Sequence, residues 1–188
     1  MKLTMKEAFS IPNLLCYVRL IMIPIFSYLY INADSSRDYF IAAIVVLVAS
    51  LTDFFDGFIA RKYNMITEWG KFLDPLADKL MQAAMLFMLI VKVKWMFLLI
   101  ILFIFKEGFM ATAGIVMLNK GRKLNGAKWF GKVSTAVFYV IMLVLIALPS
   151  LNNIVVNLLL IICACFLTLS FVLYIKEYIL MYRELKNQ

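Results

Sequence analysis

Residues 51–79 read LTDFFDGFIARKYNMITEWGKFLDPLADK. An apolar run ends in Asp53 and Asp56, and a second apolar run opens with Asp74 and Asp78. Asp53 and Asp56 are three residues apart and Asp74 and Asp78 four apart, so on helices each pair shares one face. The connection between the runs is short, which predicts two antiparallel neighbours whose acidic faces meet. Four carboxylates at the ends of apolar helices are expensive to desolvate unless something neutralises them.

Converging carboxylates repel one another, so protons or cations must restore the balance. Hard oxygen ligands at this density suit Mg²⁺, Mn²⁺ or Ca²⁺ rather than zinc. Two ions on shared carboxylates would leave positions open for substrate phosphates, a template for phosphoryl-type transfer. Gly57 follows Asp56 and Gly70 precedes Asp74 by one turn, so a phosphate or nucleotide can come close to either helix. Arg61 supplies a fixed cation. The competing reading is a structural ion-pair network with Arg61, Lys71 and Lys79, and it leaves the interleaved glycines unexplained.

Outward from this stretch, 65% of the 188 residues are hydrophobic, against roughly 45–50% in a soluble domain. The excess must face lipid, which makes the chain an all-α integral membrane protein. Six spanning helices are predicted, over about residues 12–32, 38–62, 69–91, 94–118, 127–148 and 151–182. They form one domain over residues 1–188. Residues 1–10 carry no signal-peptide cleavage pattern and read as a short amphipathic segment, with Leu3, Met5 and Phe9 in the interface.

Lysine and arginine total 19 against 11 acids. The excess sits between the apolar runs, as a membrane face held near anionic lipid requires, and not as nucleic-acid binding does. Arg61, Lys62 and Lys71 lie in one loop region and Lys120, Arg122, Lys123 and Lys128 in another. The positive-inside rule therefore puts the acidic motif and both termini in the cytoplasm. There is no histidine, which excludes Ser-His triads and His-ligated zinc and leaves acid–base work to carboxylates, Lys, Tyr or Cys. Cys16, Cys163 and Cys165 lack metal-ligand spacing and read as small apolar packing residues.

The pattern Asp53-x2-Asp56-Gly57-x2-Ala60-Arg61-x8-Gly70-x3-Asp74-x3-Asp78 resembles the full signature of the CDP-alcohol phosphatidyltransferases. A looser likeness covers the rest of the chain: the IPNLL start, Arg19 in the first helix, and a later Gly131-Lys132-x-x-Thr135. The resemblance implies a six-helix bundle, usually a homodimer, that binds CDP-diacylglycerol, transfers its phosphatidyl group to an alcohol and releases CMP. It implies that Asp53, Asp56, Asp74 and Asp78 hold two Mg²⁺ or Mn²⁺ ions. Asp78 would also be the general base. Asp53, Gly57, Arg61 and Gly70 would bind the cytidine diphosphate.

Lys106, beside Glu107 inside the apolar run FIFKEGF, and Lys132, after Gly131, are expected to bind the acceptor, together with Arg19. Phosphatidylglycerophosphate synthase-type members resemble this chain in a cation before Glu in helix four, and differ in a second lysine where Ser134 stands. Glycerol-3-phosphate is therefore the expected acceptor. Phosphatidylglycerol, as in cardiolipin synthase-type members, is the alternative. A membrane cation channel is the competing class, but acids lining a pore are spread along it and not gathered at one end of two consecutive helices.

Overall fold

In the computed structural model of the chain, residues 9–63, 65–121 and 128–186 are described, without the side chains of Arg61 and Lys186. They form six helices: α1 (Ile11–Ile31), α2 (Ser36–Lys62), α3 (Glu68–Leu89), α4 (Met96–Asn119), α5 (Trp129–Ala147) and α6 (Asn153–Lys186). Each begins and ends within a few residues of its predicted span. The amphipathic segment expected over residues 1–10 lies almost wholly outside the described residues, as do Arg122 and Lys123.

Local chemistry sets the helix ends. Pro12 occupies the first turn of α1, where its missing N–H costs nothing. Ser35 and Asp38 form a reciprocal capping box at the start of α2. Thr67 caps α3 by accepting from the Gly70 backbone N–H at 2.9 Å. Gly121, at φ 73°, takes the left-handed position just after α4.

Five helices are long and apolar enough to cross a bilayer; α3 is not among them. The exception has a direct cause, because Glu68, Lys71, Asp74, Asp78 and Lys79 crowd its first half. Pro75 lies two turns into the helix and leaves the Lys71 carbonyl without a helical donor. All six helices nevertheless expose large apolar side chains, among them Ile21, Phe40, Phe87, Phe105, Val140 and Ile154. Water would not tolerate that much apolar surface; hydrocarbon does.

The chain divides into two compact units, the first made of α1, α2, α3 and the end of α5, the second of α4, most of α5, and α6. In the first, α1 packs on both α2 and α3. Buried Ala42, Ala43 and Ala49 on α2 have no bulk to hold a neighbouring helix away. Tyr39 closes the α1–α2 hairpin: its ring meets Tyr30 edge-on at 5.3 Å and its hydroxyl donates to the Ala33 carbonyl at 2.6 Å. In the second unit α4 packs on α6, with Phe109 edge-on to Phe171 at 5.5 Å and Phe130 of α5 edge-on to Tyr174 at 4.7 Å.

Candidate active site

The two acidic helices do not pack on each other as the spacing predicts; α1 packs on both of them, and the acids meet there. Tyr63 donates to the Ile59 carbonyl and Met65 to the Ala60 carbonyl, each at 3.0 Å, and these bonds end α2. The chain re-enters a helix at Thr67. Asp53 and Asp56 of α2 and Asp74 of α3 all converge on a residue from a third helix. The guanidinium of Arg19 on α1 contacts Asp53 Oδ1 at 2.6 Å and Asp74 Oδ1 at 3.3 Å through Nη1, and Asp56 Oδ2 through Nη2. Arg19 and Asp56 are almost wholly shielded, at 1% and 2% exposure, while the Asp53 and Asp74 side chains keep 41% and 47%. Arg19 Nε has no partner among the described residues.

Arg19 explains how an apolar helix bundle tolerates these acids. A carboxylate in a low-dielectric site needs a counter-charge and hydrogen bonds, and one guanidinium supplies both to three groups. It does not balance them. Even with Lys79, whose Nζ lies 3.6 Å from Asp78, the acids outnumber the cations placed on them among the described residues.

Asp78 stands apart from the Arg19 hub in its contacts. Gln82, one turn on and 3% exposed, donates through Nε2 to both Asp78 oxygens at 3.2 and 3.1 Å. Three carboxylates are thus gathered on one point, and the fourth is held by an amide.

A cavity of about 170 Å³ opens beside them, lined by Asn13, Cys16, Asp56, Gly57, Gly70 and Asp74 among others. Its wall is clamped where α1 meets α3. Asn13, 1% exposed, donates through Nδ2 to Thr67 Oγ1 at 3.1 Å, and Trp69 Nε1 donates to the Tyr17 hydroxyl at 2.8 Å. Gly70 sits under this clamp. A Cβ there would lie 2.5 Å from Asn13 Oδ1 and 3.0 Å from Thr67 Oγ1, so the residue is required for close approach of the two helices as well as for space beside the acids.

The residues fit a divalent-cation site. The donors are hard carboxylate oxygens in excess of the local positive charge. Ligand atoms of Cys16, Asp56 and Asp74 lie within 4.8 Å of one another. Cys16 is the surprise: 2% exposed, it donates from Sγ to Asp56 Oδ2 at 3.4 Å, and so stands among the acids and not in apolar packing. Asn13, Cys16 and Arg19 are spaced by three on α1, the signal that would have placed all three on one face. Gln82 carries the corresponding signal, four residues after Asp78.

The predicted nucleotide residues divide. Gly57 and Gly70 line the cavity, Asp53 is on Arg19, and the Arg61 side chain lies outside the described residues. In the second unit, Lys106 is 5% exposed and pairs with Glu107 at 2.9 Å, while Lys132 is exposed on α5. Gly131 makes room for Tyr174, whose hydroxyl would lie 2.2 Å from a Cβ at that position. Ser134, 1% exposed, is buried.

Comparison with known proteins agrees with this geometry. The family model for CDP-alcohol phosphatidyltransferase matches residues 9–172. Three relatives carry the name CDP-diacylglycerol–glycerol-3-phosphate 3-phosphatidyltransferase. One, from Rickettsia bellii, is 45% identical over 89 residues, 47% of this chain and 48% of its own length. The chain thus spans about half the length of that relative. Those from Bacillus subtilis and Escherichia coli K12 are 34% and 35% identical over 68% of this chain and 71% of their own lengths. The chain is an integral membrane protein that belongs to the CDP-alcohol phosphatidyltransferase family.

Proposed function

We propose that this protein transfers the phosphatidyl group of CDP-diacylglycerol to glycerol-3-phosphate and releases CMP. The observation that carries the proposal is the convergence of Asp53, Asp56 and Asp74 on one point beside a glycine-walled cavity, with Asp78 one turn beyond Asp74 on α3. The printed names of the relatives supply the two substrates.

Asp53, Asp56, Asp74 and Asp78 would hold two Mg²⁺ or Mn²⁺ ions. Ions bound there would supply positive charge to the diphosphate as the bond to CMP breaks. The protein's own residues do the rest. Gly57 and Gly70 let the cytidine diphosphate approach the helix backbones, with Arg61 as a further contact. Asp78 takes the proton from the acceptor hydroxyl, whose oxygen forms the new bond to the β-phosphorus while the bond to the CMP oxygen breaks. Gln82 keeps the Asp78 carboxylate in one orientation, as an effective proton acceptor requires. Lys106 and Lys132 are assigned to the acceptor phosphate. Arg19 is assigned to the acceptor as well.

Residues 1–188 act as a single domain in this proposal. α3 completes a sixth span, its acids neutralised within the site, and an amphipathic segment precedes α1. The acidic centre faces the cytoplasm, as the basic loops require, and the protein works as a homodimer. A second acceptor, phosphatidylglycerol, is favoured by one observation: Ser134 is a small buried residue where a second lysine would recognise a dianion.

The test is CMP release by the purified protein from CDP-diacylglycerol with Mg²⁺ and each acceptor in turn. Release with glycerol-3-phosphate is expected. Release with phosphatidylglycerol alone would move the assignment to that acceptor, and no release with any alcohol would overturn it.

A further inference from the structure

In the second unit α4 and α6 pack on each other and leave an open groove of about 470 Å³ between them, a size within the roughly 300–1,000 Å³ of small-ligand sites. Trp95, Leu98 and Leu102 of α4 line one wall, and Asn157, Ile161 and Ala164 of α6 the other. From Trp95 to Leu102, or from Asn157 to Ala164, a helix rises about 10 Å. That is most of one leaflet's half of a ~30 Å hydrocarbon core. Both helices are apolar enough to span a bilayer, and the rim residues Leu98 and Ile161 are exposed. The mouth of the groove is cationic. Lys92 and Lys94 are both exposed in the turn that leads into α4, and Lys94 Nζ stands 5.8 Å from the centre of the Trp95 ring. No acid occupies the first turn of either helix, so the positive ends of two helix dipoles add to the lysines. Asn157, one turn into α6, brings an amide to a lining otherwise made of Trp, Leu, Ile and Ala.

We propose that this groove holds one acyl chain of an anionic glycerophospholipid, with Lys92 and Lys94 on its phosphate and Asn157 donating to an ester carbonyl. The chemistry selects that occupant. A hydrocarbon tail fits an apolar slot of leaflet depth, and lysines at its mouth favour a headgroup with net negative charge over a zwitterionic one. A second copy of the chain fits worse. A two-fold axis along the membrane normal sets identical residues at the same depth, so the lysine pairs of the two copies would face each other across the contact. The orientation proposed above puts the mouth on the extracytoplasmic side. The binding itself depends neither on that orientation nor on the proposed transfer.

The experiment uses the full chain carrying Trp69→Phe and Trp129→Phe, which leaves Trp95 as its only tryptophan. It is placed in phosphatidylcholine vesicles in which a minor fraction of the lipid, either phosphatidylglycerol or phosphatidylcholine, is brominated on its acyl chains. Bromine quenches indole fluorescence on contact, so the quenching of Trp95 reads which lipid occupies the groove. Brominated phosphatidylglycerol should show at least about fivefold higher relative affinity at Trp95 than brominated phosphatidylcholine, and the preference should shrink at high salt. Lys92→Gln/Lys94→Gln should abolish the preference. So should Ala164→Phe, which fills one end of the groove and leaves the lysines in place. Equal quenching by the two lipids, or a preference that survives either variant, would overturn the proposal. A second copy seated in the groove would keep both brominated lipids off Trp95 and would overturn it as well. Trp69 donates to Tyr17, so a second measurement keeps all three tryptophans. Phosphatidylglycerol should raise the Tm of the native chain more than that of Lys92→Gln/Lys94→Gln, and equal shifts would count against the site.

Discussion

Gln82 spends one amide nitrogen on both oxygens of Asp78, at 3.2 and 3.1 Å. Asp78 thus has both of its carboxylate oxygens held by a neutral side-chain donor of its own helix. The other three motif acids are oriented by the Arg19 guanidinium of α1. In the proposed transfer Asp78 serves as proton acceptor as well as cation ligand, and its orientation then has a kinetic consequence. Asp78→Asn should lower kcat by roughly 10²–10⁴-fold, the usual worth of general base catalysis. Gln82→Leu leaves the carboxylate in place but lets it turn, so kcat should fall by about tenfold, with KM for CDP-diacylglycerol little changed. Initial rates of CMP release over a substrate range measure both. A Gln82→Leu effect confined to KM would remove the orienting role.

Gly70 is the contact point of α1 and α3. Its missing side chain leaves room for Asn13 Oδ1, which a Cβ would approach to 2.5 Å. Gly70→Ala should cost about 1–3 kcal/mol, as overpacking does, and appear as a lowered Tm in detergent. Asn13→Ala removes that oxygen and also the hydrogen bond to Thr67. The double variant Asn13→Ala/Gly70→Ala should therefore be more stable than the sum of the two single losses predicts. Strict additivity of the two Tm shifts would mean that the helices do not meet there.

The acidic motif is legible in the sequence because its order is local. Spacings of three and four place Asp53 with Asp56 and Asp74 with Asp78, each pair on its own helix face. Helix limits are legible for the same reason, since Pro12, Ser35 and Thr67 act within one turn. The centre of the site is not. Arg19 precedes Asp53 by 34 positions, and nothing local says that α1 packs into the notch between α2 and α3. Its companion Cys16 looks like an apolar filler until that packing aims it at Asp56. The α3 charges that mark chemistry also keep that helix from reading as a plain membrane span.

Gly131 is a second position where a helix admits a neighbouring side chain. Tyr174 Oη would stand 2.2 Å from a Cβ at residue 131, and the next atom, Cζ, at 3.0 Å. Gly131→Ala should cost about 1–3 kcal/mol. Tyr174→Phe deletes the hydroxyl and leaves the ring on Phe130, so it should restore part of the Tm lost in Gly131→Ala. A double variant no more stable than Gly131→Ala would show that the hydroxyl is not the obstacle.

In the proposed site Arg19 and a divalent cation would compete for the same oxygens, and that competition has a measurable sign. Replacing Arg19 by Gln leaves Asp56, at 2% exposure, without its counter-charge. Breaking a buried pair in this way costs about 3–5 kcal/mol, so the Arg19→Gln variant should melt well below the native protein in EDTA. Cations then meet less opposition, because carboxylates no longer shared with a guanidinium bind them more tightly. Ligand-linked stabilisation grows as the dissociation constant falls. Millimolar Mg²⁺ should therefore raise the Tm of Arg19→Gln by more than it raises that of the native protein, and partly close the gap between them. Thermal melts of both proteins in EDTA and in Mg²⁺ measure this directly. Equal Mg²⁺ shifts in the two would mean that the cations bind somewhere other than the carboxylates that Arg19 holds.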